Sequence, residues 1–106
     1  MADYVLLFSG GGMPEGEAAQ AAVMAAWDAW FKELGSAVKD GGNPFTPAAK
    51  SIAPDGSVSD GPAVGMATGY TILTAGSLDE AVGMAKGCPV LQGGAQISVF
   101  ETFPVM

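Results

Sequence analysis

Two acids stand where a proton could be moved. Asp60 opens Asp60-Gly61-Pro62 within VSDGPAVGMATGY (58–70). A carboxylate buried at a pocket mouth gains a raised pKa and suits proton abstraction. The same three residues also spell a turn, in which the Asp60 side chain accepts backbone N–H bonds in an Asx-type arrangement. A carboxylate held that way is a weaker base, and the turn is the reading we place first. Glu101 lies in QISVFETF (96–103). If Ile97, Val99 and Phe103 face inward, period two brings Glu101 to the same face. An inward carboxylate needs a partner or a pocket. The alternative is a strand end already in solvent, or a face reversed at a bulge.

Around these acids the sequence supplies material for a flat apolar pocket. Trp27 and Trp30 fall at helical spacing and read first as core indoles, each N–H needing one acceptor. One of them is free to line a pocket with Phe31, Phe45 and Tyr70. Asn43, in the turn Gly41-Gly42-Asn43-Pro44, has an amide able to donate into it. Ser9, before Gly10-Gly11-Gly12, stands at the same end of the first strand and completes the expected lining. That glycine run fits neither the P-loop nor the dinucleotide fingerprint, and Glu15 and Glu17 would repel phosphate. Cys88 follows a helix C-terminus, where the dipole disfavours a thiolate. No Cys/His cluster suits zinc and no acid spacing suits calcium, so neither metal nor cofactor is expected.

Composition bounds the partners. The 106 residues include eleven acids, four lysines, no histidine and no arginine, for a net charge of −7. Without the arginine fork, nucleic acid is a poor partner, and an anionic membrane surface is disfavoured as well. Tyr4–Phe8 is too short for a signal or a span, and the preceding residues carry no basic region. A lone cysteine forms no internal disulfide. A reducing, cytoplasmic setting is the expectation. Hydrophobic residues make up 49% of the chain, more apolar surface than one small domain hides easily, which points to a homo-oligomer.

The elements that must carry these residues are legible. DYVLLF (3–8) reads as a buried strand, and 15–34 as an amphipathic helix with Val23, Trp27, Trp30 and Leu34 inward and Pro14 in its first turn. Its back carries Ala21, Ala25 and Ala29, a smooth strip for a second surface. SAVKDGGNPF (36–45) offers a short strand and a turn. KSIAPDGSVS (50–59) is a hairpin built on Pro54-Asp55-Gly56, and GYTILT (69–74) a strand. Ser77-Leu78-Asp79-Glu80 is a capping box opening a second helix, which Lys86, Gly87 and Pro89 close. The last strand spans 96–103. This order predicts an α+β sandwich, an antiparallel sheet with both helices on one face. The bare face would then demand a second copy.

DYVLLFSGGG, DGP at 60–62, GYTILTAGSLDEAVGMAKGCPVL (69–91) and GGAQISVFETFP together resemble the YCII-related, or DGPF-domain, family across nearly the whole chain as a single domain, 1–106. The resemblance implies a ferredoxin-like βαββαβ fold that pairs, sheet to sheet, into a dimeric α/β barrel. It also implies a pocket between helix and sheet, with a His–Asp pair as active site in prototypes. This sequence departs twice. It has no histidine, and the Phe that often follows DGP is Ala63, with Val64-Gly65-Met66-Ala67 in place of charges. Two functions follow as expectations. The first is a small-molecule-binding homodimer taking an apolar or aromatic ligand, which the missing His, Arg and reactive Cys favour. The second is a cofactor-free isomerase, lyase or oxygenase using a pocket carboxylate; a purely structural or regulatory dimer remains a third.

Overall fold

The computed structural model describes residues 1–63 and 65–105; Val64, part of the departure after DGP, lies outside them. The chain runs β1 (Ala2–Ser9), α1 (Glu17–Leu34), β2 (Val38–Asp40), β3 (Lys50–Ile52), β4 (Val58–Asp60), β5 (Ala67–Ala75), α2 (Leu78–Ala85) and β6 (Gln96–Glu101). Short 3-10 turns at Gly35–Ala37 and Pro89–Gly93 lead into β2 and β6. The main sheet has the order β2-β5-β1-β6, and its paired strands are antiparallel. That arrangement is ferredoxin-like. The hairpin β3-β4 is a separate two-stranded sheet inserted between β2 and β5, outside the βαββαβ set.

Alternation along β1 decides the faces. Tyr4, Leu6 and Phe8 are buried while Val5, Leu7 and Ser9 are half-buried. Leu6 and Phe8 meet Trp30, Leu73, Ala85 and Cys88 in one core cluster, and Tyr4 meets Ala75 and Ala81 in another. Period two then assigns Val5, Leu7, Ile72 and, opposite Val5, Phe100 to the other face. Among the described residues no helix covers that face. The molecule is accordingly thin, with extents of 45 × 38 × 17 Å.

The ends of α1 differ from expectation. Gly16, at φ +94°, precedes Glu17, so Pro14 stands before the helix rather than in its first turn. At its C-terminus, the N–H of Gly35 donates to the Phe31 carbonyl. Within α1 only Trp30 is buried, and its indole N–H donates to the Met84 carbonyl at 3.1 Å. At α2 the Ser77 hydroxyl accepts the Glu80 N–H at 3.1 Å, the forward half of the capping box. The last strand ends at Glu101 rather than 103, although the Thr102 N–H still donates to the Asp3 carbonyl. Phe103, expected inward, is exposed.

Candidate functional site

A cleft of about 960 Å³ opens between α1 and the sheet. It exists because α1 docks through few side chains. Trp30 enters the core, whereas Val23, Ala26, Trp27 and Phe31 stand over the gap. Trp27 is the centre of the wall. Its ring meets Phe8 edge-on at 5.8 Å, Trp30 edge-on at 5.6 Å and Phe31 at 5.6 Å. Interlocked aromatics of this kind are rigid and present a flat apolar surface.

Glycine makes the opposite wall. Gly10–Gly12, Gly41–Gly42, Gly69 and Gly93 all border the cleft. Gly42 shows why no other residue serves. Its φ is +72°, and a Cβ there would overlap the Tyr70 carbonyl oxygen. The turn carrying it is held by the Gly42 N–H, which donates to Asp40 Oδ1 at 2.8 Å, and by the Thr71 hydroxyl, which donates to the Gly41 carbonyl at 3.0 Å. Polar side chains are few. Asn43 and Gln92 bring amides, Thr68 donates its hydroxyl to the Gly10 carbonyl, and Tyr70 is the one titratable residue among those described in the lining.

Of the residues expected to line a pocket, Trp27, Phe31, Asn43 and Tyr70 do border this cleft. Tyr70 does so from β5, next to buried Thr71 that faces the helices. Alternation turns its ring to the uncovered face, where it stacks on Phe45 with centroids 5.8 Å apart. Ser9 and Phe45 are not at the cleft. Ser9 follows buried Phe8 along β1 and must face away. The Phe45 N–H donates to the Thr68 carbonyl, which holds its segment against the edge of β5, and its ring borders a second hollow beneath the hairpin.

Neither acid reaches the cleft. Asp60 ends β4, its side chain 92% exposed and its Oδ1 2.6 Å from Lys50 Nζ. The Asx arrangement expected there is instead made by Asp55, whose carboxylate accepts the Ser57 N–H at 2.9 Å and the Ser57 hydroxyl at 2.7 Å. Those bonds hold the Asp55 carboxyl below its ordinary range. The Gly61 N–H donates to the Ala49 carbonyl, so backbone pairing rather than the Asp60 side chain holds the DGP turn. Glu101 does share the helix-side face, as alternation requires. Its Oε1 accepts the Tyr4 hydroxyl at 2.7 Å, and this bond, with burial and the charges of Glu101 and Glu80, pushes Tyr4 up to about 12. Cys88 is buried in the core, and burial pushes its thiol up to about 11.

Gln92, Met13 and Met24 are among the lining residues that pattern reading missed. Gln92 sits in a 3-10 turn with no hydrophobic period to mark it. The two methionines are exposed; Met24 sits one position past Val23 on α1, the edge of a stripe read as core.

Fold and site together define a ferredoxin-like α+β domain with a helix–sheet cleft. A solved structure that it resembles is that of 5-chloro-2-hydroxyhydroquinone dehydrochlorinase (TftG) from Burkholderia phenoliruptrix AC1100, in complex with 2,5-dihydroxybenzoquinone. The likeness covers 94% of this chain and 93% of that one, with a TM-score of 0.55 and 18% sequence identity. At that identity it is a likeness of fold. Neither the protein-family models nor the curated proteins compared with the sequence match it. No helix among the described residues is long and apolar enough to cross a membrane.

Proposed function

We propose that this protein binds a small, flat, largely apolar or aromatic molecule in the cleft between α1 and the sheet. The observation that carries the proposal is the wall itself, Trp27 locked among Phe8, Trp30 and Phe31 and facing glycine backbone across about 960 Å³. Concave, apolar and sparsely polar is the usual character of small-molecule sites. The fold it shares with a protein solved in complex with a dihydroxybenzoquinone supports the same class of ligand. Asp60 and Glu101 are assigned no proton transfer here, because their carboxylates are engaged elsewhere. The proposal is therefore of binding rather than of carboxylate catalysis.

The same proposal includes a homodimer closed through the uncovered sheet face, and membership of the YCII-related, DGPF-domain family that the quoted segments resemble. Supporting the dimer, Val5, Leu7 and Ile72 form an apolar strip on that face, with Phe100 53% exposed beside them. The charged groups on it are few, and Asp3 and Lys39 neutralise each other at 2.6 Å.

Tryptophan emission tests the binding reading. Titration with 1,4-naphthoquinone, flat and uncharged at pH 7, should quench emission to a plateau, and Trp27→Phe should remove most of the change. Quenching that never saturates, or that is unaltered in Trp27→Phe, overturns the reading.

A further inference from the structure

We propose that the cleft selects by charge, taking neutral aromatics that carry hydroxyl or carbonyl groups and rejecting carboxylates and phosphates of the same shape. This rests on the binding reading above and adds to it the polarity of the ligand.

Among the described residues no lysine lines the cleft, and three of the four are paired with acids elsewhere. The chain has no arginine or histidine and only four lysines. Lys32 pairs with Asp28 at 3.0 Å, Lys39 with Asp3 and Lys50 with Asp60, each of the latter at 2.6 Å. The remaining one, Lys86, caps α2, and no lysine borders the cleft. Helix ends offer no substitute. The first turn of α1 carries Glu17, which opposes its positive end, and the 3-10 turn beside the cleft has Pro89 at its start, with no N–H to give. A net charge of −7 adds repulsion at longer range. An anion entering this apolar space would lose water and gain no counter-charge.

What the cleft does hold is neutral. Among the described residues, the Asn43 and Gln92 amides and the Trp27 indole make no side-chain hydrogen bond within the chain. Asn43 follows β2 and Gln92 precedes β6, the two outer strands of the sheet, so the amides approach from opposite flanks. An amide both donates and accepts, which suits a phenol or a quinone oxygen equally. A planar ring against Trp27 with an oxygen at each end would satisfy both.

Matched probes read this out. Calorimetric titration of the full-length chain at pH 7 would compare naphthol, dihydroxynaphthalene and naphthoate. The expected result is naphthoate at least about tenfold weaker than naphthol, with the gap narrowing as salt rises. Asn43→Ala and Gln92→Ala, both at exposed positions, should each weaken dihydroxynaphthalene by about two- to tenfold. Naphthoate binding as tightly as naphthol overturns the selectivity while leaving the cleft a binding site. Affinity for dihydroxynaphthalene unchanged in both variants overturns the part given to the amides. Failure of every probe to bind removes the binding reading, and this one with it.

Discussion

Glu101 and Asp60 are both carboxylates at strand ends, and their neighbours give them different work. Glu101 meets a buried phenol, so its proton chemistry is tied to folding. Tyr4 titrates at about 12 in the native chain against 10.0 when unfolded. The raised value means that the native state keeps a proton the unfolded state has lost. The contribution is complete below pH 10 and disappears as pH rises from 10 towards 12. Denaturant melts in that window should show stability falling, and Glu101→Gln should shift the phenol titration, followed by ultraviolet absorbance, towards 10. Asp60 meets only an exposed ammonium. Asp60→Asn should change stability by less than about 1 kcal/mol and leave binding in the cleft untouched, as urea melts and calorimetry would record. A loss of binding would return Asp60 to the site.

At the scale of elements, α1 is a long helix with one fully buried anchor, Trp30, while Trp27, Phe31 and Leu34 pack half-buried against the core. Trp30 fills the space between β1, β5 and α2 and ties α1 to the end of α2 through the Met84 carbonyl. Truncating it removes a large buried side chain and leaves a void, so Trp30→Ala should cost about 3–5 kcal/mol in chemical denaturation. Trp27→Ala should cost much less, because that ring is half-buried over a gap already present. The contrast separates an anchor from a wall. Should the two variants prove equally unstable, α1 would be packed against the sheet along its length and the cleft would not be open. Gly42 tests the other wall. Gly42→Ala meets both a positive φ and the Tyr70 carbonyl, and a loss of more than about 1 kcal/mol is expected.

Among the described residues, the molecule is a layer of helix on a layer of sheet, with a separate two-stranded hairpin beside them. Its radius of gyration is 15.3 Å, where a compact chain of this length would measure about 13 Å. The hairpin β3-β4 accounts for part of the excess, since it stands apart from the main sheet with Ile52 and Val58 paired and exposed beside its turn. Two strands alone are marginal in water. The proposed partner would cover the strip of Val5, Leu7, Ile72 and Phe100. Sedimentation should give a dimer at micromolar concentration, and Phe100→Lys should shift it towards monomer by placing a charge in the buried face. A monomeric parent protein would overturn the sheet-to-sheet assembly.

Sequence alone was enough for the two helices and the hairpin turn, because each is written in local signals; for Glu101 it left open the inward face and the exposed strand end, which the structure combines. The 3.6-residue spacing of Val23, Trp27, Trp30 and Leu34 sets one face, Ser77 begins α2, and period two carries Ile97 and Val99 to Glu101. It was also enough to exclude an arginine- or histidine-based site. It misplaced what depends on distant segments. Whether Asp55 or Asp60 holds its turn depends on which backbone groups β3 and β4 already satisfy. Whether Trp27 or Trp30 enters the core depends on where α2 ends. Ser9 and Phe45 were gathered with the glycine loops by proximity along the chain, while alternation and a bridge to β5 sent them elsewhere. The cleft is the clearest case: it is the space left beside an eighteen-residue helix that buries one tryptophan fully and its other core-facing side chains only in part, and a void between elements has no residues of its own to announce it.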